Sequence, residues 1–254
     1  MKDIIVIADT QVHGDVELTH IEKLSEYIWE HKPEDVVHIG DNWDFPSLSS
    51  YASTTEMEGR RLVDDMQSGF KALKKVMYRT KQRTAQAKQG NPYSPHLNFV
   101  MGNHENRLAR YLDSNPVLDG MFDLKGMIEA EGWKVYDFLD PCWVHDIAFI
   151  HYLPNPQSGR AIGGGIENKL NKVPHSFVHG HQQQYQFGRR QNMQGRPLFG
   201  VCAGSFYMHD EEYRGPAGNT EIRGFVHMRG FTNRFGYLDY DVEFVSMERL
   251  MQDY

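Results

Sequence analysis

Cysteine is scarce in this chain. Only Cys142 and Cys202 occur among its 254 residues, so there is no disulfide framework, and a reducing, cytoplasmic setting is the expectation. Long apolar runs are missing as well. No stretch approaches the ~20 residues that span a bilayer, and the opening MKDIIVIADTQ has too short an apolar part for a signal peptide. The sequence has no linker, internal repeat or low-complexity segment, which argues for one domain over residues 1–254. An overall excess of basic charge is also absent. The formal net charge is −7, which speaks against a whole-surface polyanion binder but permits a local basic patch. Acidic residues are absent between Asp65 and Glu105, a stretch that carries Lys71, Lys74, Lys75, Arg79, Lys81, Arg83 and Lys88. The favoured reading of that stretch is a solvated helix face; the alternative is a surface that follows the phosphates of a nucleic acid.

Histidine, by contrast, is plentiful, with thirteen in the chain. Several follow short apolar runs, as in DVVHIGD, NFVMGNHE, IAFIHY and SFVHGH. DIIVIA, DVVHI, LNFVM, KVYDF, CWV, IAFIHY and SFVHG read as strands, with a turn at His145-Asp146 between CWV and IAFIHY. Helical spacing covers 16–32, a helical insertion at about 55–90, 104–114, 117–131 and 162–173. Beyond Gly180 the pattern becomes β: YQFGRRQ, a turn at NMQG, PLFGVCAG, GFVHM and FGYLDYDVEFV. Strand–helix alternation followed by strands predicts an α/β fold of two packed mixed β-sheets, a sandwich flanked by helices in four layers.

The polar residues at the strand ends form an ordered set. ADTQ supplies Asp9 and Gln11, GDNWD supplies Asp41 and Asp44, and GNHE supplies Asn103 and His104. FIHY supplies His151, and GHQQ supplies His181 and Gln183. The carboxyl ends of strands in α/β sheets face a common crevice. Carboxylates there can bridge two divalent cations, imidazoles suit transition metals, and amide oxygens add neutral ligands. Two such ions clamp a phosphate and generate hydroxide from water near neutral pH.

In this order the motifs resemble those of the calcineurin-like metallophosphoesterases over roughly residues 3–205. GDNWD and GNHE are the specific part. The resemblance implies a metal-dependent phosphoric ester hydrolase with two divalent ions, Mn²⁺ foremost and Mg²⁺, Fe or Zn²⁺ as alternatives. One ion would meet Asp9, Gln11, Asp41 and Gln183; the other would meet Asp41, Asn103, His151 and His181. His104 would protonate the leaving oxygen or hold the phosphate, and Asp44 would orient it. The sequence departs from the family at Gln11 and Gln183, both ligands of the same ion, so that site is expected to hold a harder ion or to bind weakly. His13, two residues past Gln11, is a candidate replacement ligand or substrate contact.

A loop-rich excursion at about 206–234 is rich in glycine, aromatic residues and arginine. Tyr207, Tyr213, Arg214, Arg223 and Phe225 are candidates there for a stacking and phosphate-binding rim, the alternative being an aromatic mini-core. Arg107, just past GNHE, is a further substrate candidate. His38, His145 and His179 read as structural. The expected function is a phosphodiesterase acting on a nucleotide or nucleic-acid-like phosphate ester. The alternatives are a phosphomonoesterase with the same site and a non-catalytic scaffold on the same fold.

Overall fold

The structure is a computed structural model, and it describes residues 2–14, 16–49, 58–86, 92–118, 120–210 and 218–254. Two mixed sheets form its centre. The first has six strands in the order β11-β10-β1-β2-β3-β4, where β1 is Ile4–Ile7, β2 Asp35–His38, β3 His96–Val100, β4 Lys134–Tyr136, β10 Gly224–Thr232 and β11 Leu238–Ser246. The second has five in the order β5-β6-β7-β9-β8, where β5 is Cys142–Val144, β6 Ile147–Ile150, β7 Ser176–His179, β8 Tyr185–Gln191 and β9 Pro197–Ala203. Strands β1 to β4 run parallel, as do β6, β7 and β9. Strands β1, β2, β6 and β7 are buried throughout. Burial on both faces explains why they read as unbroken apolar runs instead of alternating ones.

The sheets pack face to face through Val6, Val37, Ile39, Phe149, Val178, Val201 and Val226. On the outer face of the first sheet lie α1 (Thr19–His31), α2 (Leu62–Val76), α3 (Tyr78–Gln86), α4 (Glu105–Ser114), α5 (Leu124–Ala130) and α7 (Met247–Asp253). The apolar stripes of α1, α2, α4, α5 and α7 join Ile5, Ile7, Val36 and Phe99 in a second core that includes Trp43, Leu73 and Leu108, while α3 packs against α1. Helix α6 (Ile166–Lys172) covers the outer face of the second sheet through Ile166 and Leu170, packed with Ala148, Ile150 and Phe177. This is the four-layer α/β arrangement expected from the pattern.

Local expectations divide. His145 and Asp146 turn the chain between β5 and β6 with φ of 48° and 65°, as a tight hairpin needs. The helix expected at 55–90 is two helices broken at Met77, where the Arg79 N–H leaves the helical ladder for Ser25 Oγ on α1 at 2.9 Å. Residues 55–57 and 87–90 of that expectation lie outside the described residues. The helix expected over 117–131 is shorter. A 3₁₀ turn occupies Pro116–Leu118, Gly120 adopts φ +75°, and Asp123 starts α5 by accepting from Gly126 N at 2.9 Å. The excursion at 206–234 also contracts, because β10 fills its second half and pairs with β1 and β11. Cys142 and Cys202 are buried free thiols.

Candidate metal centre

The carboxyl ends of the parallel strands from both sheets meet at one edge. Asp9 N donates to Gly40 O at 3.1 Å, joining the turns after β1 and β2, and Gly180 N donates to His151 O at 2.9 Å, joining those after β6 and β7. His181 N donates to Asp9 Oδ2 at 2.9 Å, which links the two sheets across the edge.

The turns that carry the expected ligands share an unusual backbone. Asp9, Gln11, Asp41, His181 and Gln183 have φ of 48°, 45°, 52°, 67° and 57°. A side chain in this left-handed region costs free energy, and such residues cluster where surrounding contacts hold them for function. Gly40 and Gly102 allow the turns of GDNWD and GNHE to close on each other. A Cβ on Gly40, whose φ is +90°, would sit 2.5 Å from Gly102 N, and one on Gly102 would sit 2.2 Å from Asp41 Oδ1.

Asp41, His151 and His181 bring one ligand atom each to within 4.8 Å of one another. His151 Nδ1 bonds to Ile39 O at 2.9 Å, which turns Nε2 inward. There Nε2 lies 2.8 Å from Asn103 Oδ1 and 3.3 Å from Asp41 Oδ2. Burial opposes a charge on His151, but Asp41 beside it and Asp9 beyond outweigh burial and push its pKa up to about 9. A group of acceptors thus holds a positive charge at this point, as it would hold a cation. His181 has the opposite balance: burial and then the His151 charge lower its pKa to about 4, which leaves a neutral imidazole, the form that ligates. Asp41 is held well below the usual carboxylate range: burial opposes its charge, but His104 and His151 outweigh it.

The donors of the other half are less complete. Asp9 is wholly buried, and its Oδ1 has no hydrogen-bond partner among the described residues. Burial pushes the Asp9 pKa up to about 7, against the pull of His151. An orphaned buried carboxylate oxygen beside a convergent set of oxygens and imidazoles fits a divalent cation. Gln11 is wholly buried nearby, its N–H donating to Asp41 O at 2.9 Å. Gln183 is buried, and its Oε1 accepts from Tyr207 Oη at 3.0 Å. The flanking glutamines are engaged as well, Gln182 with Lys169 Nζ at 2.6 Å and Gln184 with Glu221 at 2.8 Å.

His104 lies beside this group. Its Nδ1 is 3.1 Å from Asp44 Oδ1, its Nε2 is 3.7 Å from Asp41 Oδ2, and its backbone N–H donates to Asp41 Oδ1 at 2.8 Å. Burial opposes its protonation, but Asp41 and Asp44 prevail and raise its pKa. Arg107 Nη2 sits 2.7 Å from His104 Nε2, and Nη1 donates to Asp44 O at 2.8 Å. A guanidinium can only donate, so this contact requires a neutral ring with its hydrogen on Nδ1, facing Asp44. Protonation of Nε2 therefore requires Arg107 to swing away. The His13 ring packs edge-on to His209 at 4.9 Å, outside the Asp41–His151–His181 group.

Of the two readings of the excursion, burial favours the aromatic mini-core over an exposed rim. Tyr207, Arg223 and Phe225 are all buried. The Arg223 guanidinium stacks 4.4 Å from the Tyr207 ring and donates to His209 O at 2.6 Å, to Tyr207 O at 3.4 Å and to Asp210. Its two terminal nitrogens are engaged by its own loop, while its Nε has no hydrogen-bond partner among the described residues. Tyr213 and Arg214 lie outside the described residues. The basic stretch is likewise partly neutralised, since Lys74 pairs with Glu131 at 3.2 Å, Lys75 with Glu22 and Arg79 with Glu26. Lys88 lies outside the described residues. His38 Nε2 lies 2.8 Å from Thr10 Oγ1, His145 Nδ1 2.6 Å from Tyr240 Oη, and His179 Nδ1 2.8 Å from Gly180 O.

One residue lies inside a quoted motif, as the last letter of GNHE, but its task is not legible there. Glu105 is buried, and its carboxylate accepts from Asp41 N at 2.8 Å, Asn42 N at 2.8 Å, Trp43 N at 3.2 Å and Gly102 N at 2.7 Å. It fastens the GDNWD turn to the GNHE turn and so sets the position of Asp41. The signals in the sequence are its place in GNHE and an acid at the first position of a helix that follows a glycine turn.

No protein-family model matches the chain. The Gene 54 protein of Mycobacterium phage L5 is 32% identical over 139 residues, which is 53% of this chain and 49% of that protein. The chain thus spans about half the length of this curated relative. Among solved structures, Vps29 of Chaetomium thermophilum aligns over 96% of this chain and 95% of its own, with a TM-score of 0.39 and 12% identity. A dimetal phosphatase from Danio rerio aligns over 89% of this chain and 91% of its own, with a TM-score of 0.40 and 12% identity. At this identity and score neither likeness bears on the chemistry of the site, which rests on the geometry of the chain's own residues.

Proposed function

We propose that this chain is a metal-dependent phosphoesterase acting as one domain, since both sheets supply its site. The observation that carries the reading is the convergence of Asp41 Oδ2, Asn103 Oδ1 and His151 Nε2, with His181 alongside and the orphaned Asp9 Oδ1 beside them. Divalent cations held by Asp9, Asp41, Asn103, His151 and His181, with Gln11 and Gln183 as further candidates, would neutralise phosphoryl oxygens and acidify water.

The remaining work falls to the chain's own groups. His104 delivers a proton from Nε2 to the departing ester oxygen, while Asp44 fixes its ring through Nδ1. Arg107, released from His104 when the ring takes up that proton, is placed to grip a phosphate oxygen. A proton donor of this kind suits esters with an alkoxide leaving group, which monoesters and diesters share; a phosphodiester of nucleotide type is the substrate proposed, with the monoester as the alternative. Lys74, Lys75, Arg79 and Arg223 lend no support to a long nucleic acid, because their charges are engaged within the chain.

The test is hydrolysis of bis-p-nitrophenyl phosphate and p-nitrophenyl phosphate by metal-stripped protein resupplied with Mn²⁺, Mg²⁺ or Zn²⁺. Turnover abolished by Asp41→Asn is the expected result, with the diester preferred; His104→Ala should cost less on these esters, because p-nitrophenolate departs without a proton. No turnover of either ester with any of these ions would sink the reading in favour of a non-catalytic scaffold.

A further inference from the structure

We propose a second cation site, of zinc type, formed by Glu34, Asp35, His96 and His145 at the opposite pole of the molecule. Asp35 and His96 are the first residues of β2 and β3, paired in parallel register, while the candidate metal centre lies past the last residues of those strands. Four strand residues separate the two places, roughly 13 Å at the usual rise per residue, so one ion cannot serve both. The site is independent of the phosphoesterase reading.

The donors come from both sheets. Glu34, Asp35 and His96 each offer a ligand atom, all within 4.8 Å of one another. His145 approaches Glu34 from the β5–β6 turn of the second sheet, its Nε2 lying 3.8 Å from Glu34 Oε1. His96 Nδ1 lies 3.4 Å from Asp35 Oδ1. These separations are those of ion pairs, longer than the ~2.9 Å of a well-formed hydrogen bond. They are close to the ~3.4 Å edge of a tetrahedron whose centre bonds four ligands at about 2.0–2.1 Å. Glu34, Asp35 and His96 supply three donors of the kind that zinc takes, and His145, which lies outside the group that meets within 4.8 Å, would close on Glu34 to become a fourth.

The supports behind these donors are also in place. Tyr240 Oη bonds His145 Nδ1 at 2.6 Å, which presents Nε2 to Glu34. Asn98 Nδ2 donates to Asp35 Oδ1 at 3.2 Å, and Tyr136 Oη donates to Asn98 Oδ1 at 3.3 Å. The His96 N–H donates to Glu34 O at 2.9 Å and fixes the two strand starts against each other. Orientation of ligands by such partners is a mark of built metal sites. Asp35 is buried, and burial raises its pKa against the weaker pull of His96, so a nearby cation relieves a carboxylate that its neighbours leave poorly compensated. The exposed His96 ring leaves a path of entry. An ion there would tie the β5–β6 hairpin of one sheet to the strand starts of the other.

The test uses the full chain, stripped with a chelator and titrated with zinc by calorimetry, beside His96→Ala, Glu34→Gln and Asp41→Asn. His96 is exposed, so equal melting temperatures of the metal-free forms check that its variant folds. The expected result is one zinc ion fewer, or at least a tenfold weaker one, in His96→Ala and Glu34→Gln. Asp41→Asn keeps that ion and still gains melting temperature from zinc, a gain that Asp41→Asn/His96→Ala loses. Unchanged stoichiometry and affinity in both His96→Ala and Glu34→Gln would overturn the proposal, leaving ordinary surface pairs of imidazole and carboxylate.

Discussion

The candidate metal centre has two unlike halves. On one side Asn103, His151 and His181 join Asp41 with their donor atoms turned toward a common point. On the other, Asp9 brings an oxygen without a partner, while the Gln183 carbonyl oxygen is already held by Tyr207. Both halves use the same strained left-handed turns, so the backbone frame is kept even where imidazole gives way to amide. Side-chain identity and backbone geometry are thus separate requirements of the site. The amides do a second job, because Gln182, Gln183 and Gln184 tie the turn after β7 to Lys169, to Tyr207 and to Glu221.

The largest expected effect separates the halves directly. His151→Ala should weaken Mn²⁺ binding by about 100-fold or more, since even partners that only orient a ligand are worth about 10–100-fold. Gln183→Ala should change it by less than about threefold. Calorimetry on stripped protein decides, and equal losses in the two variants would break the contrast.

Glu105→Gln probes the frame that both halves share. The amide puts an NH₂ group against backbone donors that now face a carboxylate. The loss should be about 2 kcal/mol of stability with about 10–100-fold in metal affinity, and both should move together. A melting temperature and metal affinity equal to those of the parent chain would remove Glu105 from its positioning role.

The histidines show the same division under acid. His151 is raised by carboxylates, whereas His38 is lowered to about 3 because burial dominates. Below the ordinary imidazole pKa of about 6.5 the unfolded chain takes up a proton that the folded His38 refuses. The stability that His38 contributes is therefore whole above about pH 6.5 and falls with pH, by about 2 kcal/mol from 6.5 to 5. His20, His179 and His227, lowered to about 4, 3 and 4 by burial, add in the same direction. Urea midpoints of metal-free protein measured from pH 7 to 5 should fall accordingly; a flat profile would contradict the burial of these rings as neutral groups.

The smallest effect sharpens the comparison most. Tyr207→Phe removes one hydrogen bond, worth about 1 kcal/mol, and releases Gln183 Oε1. If Mn²⁺ binding then tightens, the phenol competes with the ion for that oxygen; unchanged affinity means that Gln183 serves only to hold the loop.

The sequence alone determined the architecture and the order of the motifs. A strand buried on both faces must be apolar throughout, and its carboxyl end must carry the polar turn, so ADTQ, GDNWD, GNHE, FIHY and GHQQ were legible as strand ends. The places where helices break, at Met77 and between Leu118 and Leu124, were not, because Ser25 on another helix and the Asp123 cap decide them. Only the tertiary structure could show that Glu105 fastens two turns, that Tyr207 holds Gln183, and that Arg223 is buried under its own loop. Each of these depends on which groups distant in the chain meet away from water. A polar side chain has the same letters whether it faces solvent, a cation or a backbone N–H, and packing alone makes that choice.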